Sequence, residues 1–180
     1  MKSKCRKLKE YFNKLTAKKL IRFVLQVLFL LIVFTGIQIY QNRNLLSTGT
    51  MAPTLKLMDF NGKEIIVDFH TGNKSILYMV APWCGICKVN IGNLEMFRGK
   101  KNLNIYIVAI DYETTEDVKV FIAKNNVTLP VYLGNESIQS DYRVLGFPTI
   151  YFVNEKGHIS HKTIGYTSTI SLYLRYILFG

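Results

Sequence analysis

Cys84 and Cys87 stand three positions apart in Ala81-Pro82-Trp83-Cys84-Gly85-Ile86-Cys87-Lys88, and that spacing admits three chemistries. Two thiols in one helical turn share a face and can close a reversible disulfide. The same pair can be half of a metal site, or merely two small buried side chains. A cysteine at the start of a helix meets outward-pointing N–H groups and the positive end of the helix dipole, which favour thiolate over thiol. Such placements lower a thiol from about 8.5 to between about 3.5 and 7.5. On this argument Cys84, where a strand hands over to a helix, is the nucleophile, and Cys87, one turn in, is the shielded resolving thiol.

A metal site needs more ligands than the pair supplies. The histidines available beside it are His70, His158 and His161. His158 and His161 are three apart on an expected strand and so point to opposite faces.

The elements that must position the pair are legible around it. Ser75 to Ala81 is a short apolar run suited to a buried central strand, and it leads directly into the cysteines. Ile86, Val89, Ile91, Leu94 and Phe97 recur at loosely helical spacing until Arg98-Gly99, which predicts one helix from Cys84 to that stop. Asn104 to Asp111 is a second buried strand, and Thr114 caps a helix running to about Asn125. Leu129–Leu133 reads as a strand and Glu136–Arg143 as a short helix. Thr149–Val153 and His158–Ile164 form a terminal hairpin turned at Asn154-Glu155-Lys156-Gly157, and Thr167 or Ser168 caps a last helix through Ile177. Upstream, Asn61-Gly62 between two extended runs predicts a first hairpin. Alternating strands and helices imply a parallel core with crossovers.

The charge is concentrated at one end. Residues 1–22 carry nine basic side chains against Glu10 alone, which is +8 of the chain's +11. A basic tail of this kind argues against nucleic acid as partner, because the following 158 residues hold only the remaining +3. Directly after the tail, Phe23–Tyr40 has no charge and only Gln26, Thr35 and Gln38 as polar interruptions. About 20 apolar residues cross a bilayer, a length reached when Leu20 and Ile21 are counted. Basic residues flanking a span stay in the cytoplasm, so the bulk of the chain is expected outside it. The expected organisation is a cytoplasmic tail at 1–22, a transmembrane anchor at 23–40, a polar linker at 41–51 and one globular domain at 52–180. Cys5, on the cytoplasmic side, is read as a spare reduced thiol.

A strand ending in Ala81-Pro82-Trp83-Cys84-Gly85-Ile86-Cys87-Lys88, followed much later by Phe147-Pro148-Thr149 and a terminal hairpin, resembles the thioredoxin superfamily over residues 52–180. The Gly49-Thr50-Met51-Ala52-Pro53 approach, the Asn61-Gly62 hairpin and the extra strand and helix before Pro148 resemble its membrane-anchored TlpA-like branch. That branch includes cytochrome c maturation thiol reductases and suppressor-of-copper-sensitivity disulfide oxidoreductases. The resemblance implies an α/β thioredoxin-like fold, a central mixed sheet flanked by helices. It also implies a cis peptide before Pro148, with backbone there pairing to a substrate strand. Trp83, Phe147, Pro148 and Thr149 are the expected substrate-supporting residues. Two positions depart from the family: a buried acid six residues before the first cysteine is Tyr78 here, and a glutamate three after the second is Asn90.

The expected function is therefore an extracytoplasmic protein thiol-disulfide oxidoreductase, a reductase or isomerase, with the Cys84–Cys87 couple in place of any organic cofactor or metal. Its expected partners are cysteine-containing proteins and a membrane electron-transfer partner. Its expected location is the bacterial inner membrane, single-pass, with the domain on the periplasmic side. A copper chaperone on the same fold, a cytochrome c maturation reductase and a catalytically idle interaction domain are the alternatives.

Overall fold

An apolar run with no polar alternation has no face to offer water and must lie between two layers. In the computed structural model, which describes residues 2–179 with side chains from residue 18 onward, the run around Leu77 does so. Lys74–Val80 forms a strand, β3, with every residue from Ser75 onward buried. Leu103–Ala109 (β4) and Val131–Leu133 (β5) extend it in parallel, while Thr149–Val153 (β6) pairs antiparallel on its other side. Ile159–Ile164 (β7) closes that end. Leu55–Met58 (β1) and Glu64–Val67 (β2) form the expected first hairpin, and the seven strands run β2-β1-β5-β4-β3-β6-β7. The sheet is thus mixed, with a parallel centre.

The helices are α1 (Lys2–Asn42), α2 (Gly85–Asn90), α3 (Thr115–Lys124), α4 (Glu136–Asp141) and α5 (Thr169–Phe179). Strand alternation divides the interior into two cores. Ile76, Tyr78 and Val80 join Ile107, Ile150 and Phe152 on the face that also receives Cys84, Cys87, Phe121 and Leu172. Leu77 and Met79 join Val108, Tyr151 and Ile138 on the other. The cysteines therefore belong to the core beneath α2, α3 and α5.

Local signals act as physical chemistry expects. Thr114 accepts from Asp117 N–H while the Asp117 carboxylate accepts from Thr114 N–H, a capping box contributing about 1 kcal/mol. Gly62 takes a positive φ of 80° in the first hairpin, and Asp59 accepts from the N–H groups of Asn61 and Lys63 to hold the turn. Ser168 Oγ accepts from Ser171 N–H at the start of α5.

Two expectations shift. The single helix anticipated from Cys84 to Arg98-Gly99 is one short α-helix, α2, followed by a 3₁₀ segment over Ile91–Phe97. Its buried side chains, Ile91, Leu94 and Phe97, are spaced by three, which stacks them on one line at three residues per turn. The anticipated linker at 41–51 is largely taken up on both sides. Helix α1 runs through Asn42, and chain contacts divide the protein into units at 1–43 and 44–180. In the second unit Leu45 is buried, and residues 49–52 hydrogen-bond through their backbone to Gly157 and Ile159. Leu46 N–H and Tyr142 Oη bind Tyr151 Oη and the Pro53 carbonyl respectively, which fixes the same segment from the other core. Cys5 and the basic side chains of residues 2–14 fall outside the described side chains.

In the first unit, the 25 residues Lys18–Asn42 of α1 have a mean hydropathy of 2.5 over their most apolar window, long and apolar enough to cross a membrane. Phe23, Phe29 and Ile32 are each more than 60% exposed.

One half-buried group makes stability pH-dependent. The ring of His161 on β7 stacks on Phe179 at 4.6 Å, and its Nε2 is buried without a hydrogen-bond partner. Desolvation first, and then the nearby Arg175 guanidinium, push its pKa from 6.5 down to about 4. The unfolded chain therefore takes up a proton near pH 6.5 that the folded chain refuses until about 4, so stability is full above 6.5 and declines as pH falls between them. Thermal midpoints of the full chain in detergent are expected to fall across that window and to do so less in His161→Phe. Equal slopes in the two proteins would contradict this.

Candidate active site

The chain leaves β3 at Val80 and turns through Ala81-Pro82-Trp83, with Cys84 N–H donating to the Ala81 carbonyl at 3.1 Å. Cys84 is the N-cap of α2, in extended backbone conformation. Its sulfur accepts a hydrogen bond from Cys87 N–H at 3.1 Å, so a backbone donor of the first turn is aimed at the atom that would carry charge. The two cysteines are disulfide-bonded, with Cα atoms 5.2 Å apart. Cys84 retains 6% of its surface and Cys87 none. The asymmetry follows from position alone: the cap residue borders solvent, whereas the residue one turn in faces β3.

Trp83 and Phe147 form the rim. Their rings meet edge to face at 5.8 Å, and Trp83 Nε1 donates to the Asp111 carbonyl at 2.9 Å. Trp83, Ile86, Val89 and Leu145 are all at least half exposed, a concentration of apolar surface close to the disulfide in the chain and at the loop before Pro148. The Phe147–Pro148 peptide is cis. Pro148 is buried, its carbonyl accepts from Gly165 N–H at 2.8 Å, and Thr149 is buried with its hydroxyl donating to the Gly146 carbonyl. The structure thus brings Trp83 and Phe147 together beside the cysteines, whereas the Thr149 side chain is turned inward to brace its own loop.

Beneath the pair, the two departing positions meet. Tyr78 and Asn90 are both fully buried on the core face that holds the cysteines. Burial holds the Tyr78 phenol above its ordinary value, and the neighbouring Asn90 amide offsets this in part. Asn90 Oδ1 accepts from Thr167 N–H and from Asn93 Nδ2, both at 3.2 Å. Sequence reasoning singled out positions 78 and 90, read Thr167 only as a possible cap of the last helix, and did not reach Asn93. Thr167 reaches the site from 77 residues away, and no local pattern marks it.

The histidines stay apart from the cysteines' chemistry. His70 Nδ1 lies 2.7 Å from Asp68, His158 Nδ1 lies 3.1 Å from the Lys156 carbonyl, and His161 is stacked on Phe179. Among the described residues no three His, Cys, Asp or Glu side chains are gathered in a metal-holding group.

A mixed sheet whose central strand delivers a C-x-x-C pair to a helix N-terminus, with a cis-proline loop beside it, is a thioredoxin-like domain. The AhpC/TSA family model matches residues 48–162, and the chain belongs to that family. It is 26% identical over 147 residues to the thioredoxin-like protein YneN of Bacillus subtilis, covering 77% of this chain and 86% of the relative. It is 28% identical over 146 residues to the thiol-disulfide oxidoreductase ResA of the same organism, covering 77% and 82%. Among solved structures, the thioredoxin domain of a thiol-disulfide oxidoreductase from Bacteroides vulgatus superposes with a TM-score of 0.63 at 21% identity, covering 74% of this chain and 99% of that one. StoA from Bacillus subtilis superposes with a TM-score of 0.58 at 24% identity, covering 67% and 93%.

The unequal surroundings of the two sulfurs generate a labelling order. In the reduced protein at mildly acidic pH, iodoacetamide followed by peptide mapping is expected to modify Cys84 well before Cys87. Equal rates at the two positions would refute the division of roles.

Proposed function

We propose that the chain is a membrane-anchored, extracytoplasmic thiol-disulfide oxidoreductase that acts on protein cysteines as a reductase or isomerase. The observation that carries this reading is a disulfide seated at the N-terminus of α2, with a backbone N–H on the outer sulfur and an exposed apolar rim around it. The named activities of the relatives ResA and sporulation thiol-disulfide oxidoreductase A, the latter 28% identical over 120 residues, support it.

The reaction follows from the geometry. In the reduced protein, the Cys84 thiolate attacks one sulfur of a client disulfide, and the other client sulfur leaves as a thiolate and takes a proton. Cys87 then loses its proton and attacks Cys84 Sγ, the bond between Cys84 and the client breaks, and the second client thiolate leaves. Two electrons pass to the client and the Cys84–Cys87 bond is re-formed. Trp83 and Phe147 supply apolar contact for the segment flanking the client cysteine. Phe147 makes no backbone hydrogen bond among the described residues, so its N–H and C=O are available to a client strand in the manner of strand addition.

The direction rests on what surrounds Cys84. A strong oxidant needs heavy stabilisation of its thiolate, and every 1.4 kcal/mol of it corresponds to about 30 mV. Gly85-Ile86 brings no charge or histidine, leaving backbone donors alone. Reduced full-length protein in detergent is expected to reduce insulin without added metal, and Cys87→Ser to trap mixed disulfides with client proteins while Cys84→Ser traps few. A pair held wholly oxidised in growing cells, with a potential near the roughly −120 mV of a strong oxidase, would reverse the assignment to disulfide donor.

The anchor reading rests on the apolar length of α1 and on the +8 charge before it. A reporter active only outside the cytoplasm, fused after Gly180, is expected to be active, with residues 1–40 retained in the mature protein. A processed form starting near Thr50 would replace the anchor with a cleaved leader.

A further inference from the structure

Five buried side-chain polar atoms of the described residues lack a hydrogen-bond partner, and three of them belong to one cluster. They are Tyr78 Oη, Asn90 Nδ2 and Thr167 Oγ1, on residues at most 2% exposed. Asn90 lies one helical turn from Cys87 on α2, and Tyr78 lines the same core as both cysteines. Each has given up its hydrogen bonds to water, and the three sit together: the Asn90 amide is near enough to the Tyr78 phenol to act on it without closing a hydrogen bond of good geometry, and Asn90 Oδ1 accepts from Thr167 N–H. Between them they offer the two or three donors and acceptors that a buried water molecule requires.

The cluster also has a way out. Asn90 Oδ1 accepts from Asn93 Nδ2, which donates in addition to the Thr167 carbonyl at 3.0 Å. Asn93 Oδ1 in turn accepts from the hydroxyl of exposed Thr169 at 2.9 Å. A polar file thus leads from beneath the cysteines to the surface at the start of α5. Cys87 itself has no exposed surface, yet the reaction proposed above requires it to lose a proton when it resolves a mixed disulfide and to gain one when the pair is reduced.

We propose that Tyr78, Asn90 and Thr167 bind water and form an uncharged proton relay that serves Cys87. This rests on the oxidoreductase reading and specifies its second step. The Cys87 proton passes to the bound water, the hydroxyls of Tyr78 and Thr167 each accept one proton and give up another, and the excess proton leaves with the water itself as it exchanges with solvent past Asn93 and Thr169, whose amide and hydroxyl hydrogen-bond the water and carry no proton. No relay residue changes charge, and the Cys87 thiolate so formed displaces the client from Cys84. Asn90 acts as a positioning residue, holding the loop at Thr167 against α2.

Charged groups on the surrounding elements are engaged elsewhere. Among the described residues no carboxylate is buried. Glu95 of the 3₁₀ segment binds Arg98 and Thr128, Lys74 of β3 lies over the Tyr176 ring of α5, and Lys88 of α2 is exposed. Arg175 of α5 and His161 of β7 act on one another, and Tyr166 and Tyr173 are exposed. Relay through neutral groups is therefore the route this interior provides.

The test uses reduced full-length protein carrying Cys5→Ser, in detergent, mixed with excess 5,5′-dithiobis(2-nitrobenzoate). The first release of nitrothiobenzoate reports attack by Cys84, and the second reports attack by Cys87 on the mixed disulfide. Tyr78→Phe and Thr167→Val are each expected to slow the second phase by roughly tenfold or more at neutral pH and to leave the first within about twofold. The wild-type second phase should slow in D₂O more than that of the variants. Asn90→Asp puts a titrating carboxyl beside Cys87, so the second phase should gain an inflection at about pH 5–8. Second phases within twofold of wild type in both hydroxyl-deletion variants, with native circular dichroism, would overturn the relay. Absence of a second phase in the wild type would instead overturn the oxidoreductase reading itself.

Discussion

The hydrogen bond from Cys87 N–H to Cys84 Sγ is the interaction around which this domain is arranged. It exists only if a helix begins at Cys84, and a helix begins there only because β3 ends at Val80 with its next residues turned out of the sheet. Cys84 N–H on the Ala81 carbonyl and Lys88 N–H on the Cys84 carbonyl fix the cap from both sides. The strand can deliver the chain to that point because it is apolar on both faces and must be covered by two layers. An otherwise ordinary rule of sheet burial thereby becomes a rule about where a sulfur sits.

That arrangement also separates two kinds of surroundings within 5.2 Å of backbone. Outward lie Trp83, Ile86, Val89, Leu145 and Phe147, a rim of apolar surface with exposed Lys88 beside it. Inward lie Tyr78, Asn90 and Thr167, polar but neutral and buried. The outer sulfur thus borders the exposed rim, and the inner one lies in the core that also holds Tyr78. Family resemblance leads one to expect an acid on the inner side. Its replacement by a phenol and an amide leaves the interior without a fixed negative charge, so ionisation of either sulfur is not opposed by a neighbouring carboxylate.

Much of this was legible in the chain. The apolar run around Leu77, the Asn61-Gly62 turn and the capping box at Thr114 each encode their structure within a few residues, so the parallel centre of the sheet, its hairpins and the position of Cys84 could be read directly. The cis bond before Pro148 was legible only through resemblance. The break at Asn90 was missed because apolar spacing from Ile86 to Phe97 fits a loose α-helix as well as it fits a turn of α followed by three-residue repeats. The inclusion of Leu45 and residues 49–52 in the domain was hidden because their partners, Tyr151, Gly157 and Ile159, lie about a hundred residues away. Thr167 was hidden for the same reason. What sequence reading could not reach was set by remote backbone donors and acceptors, which leave no local pattern.

The indole of Trp83 is the chain's single tryptophan, fixed by Asp111 at its nitrogen and by Phe147 at its edge, and it immediately precedes the disulfide. Disulfides quench nearby excited indoles by accepting an electron, and dithiols do so far less. The protein consequently carries a built-in optical gauge: its entire tryptophan emission arises at the one place where the redox state changes. A bound client that covers the rim and lifts Phe147 from the ring would alter the same signal through polarity, shifting its colour as well as its intensity. Electron transfer and docking can thus be followed separately, in the unlabelled chain, from a single side chain.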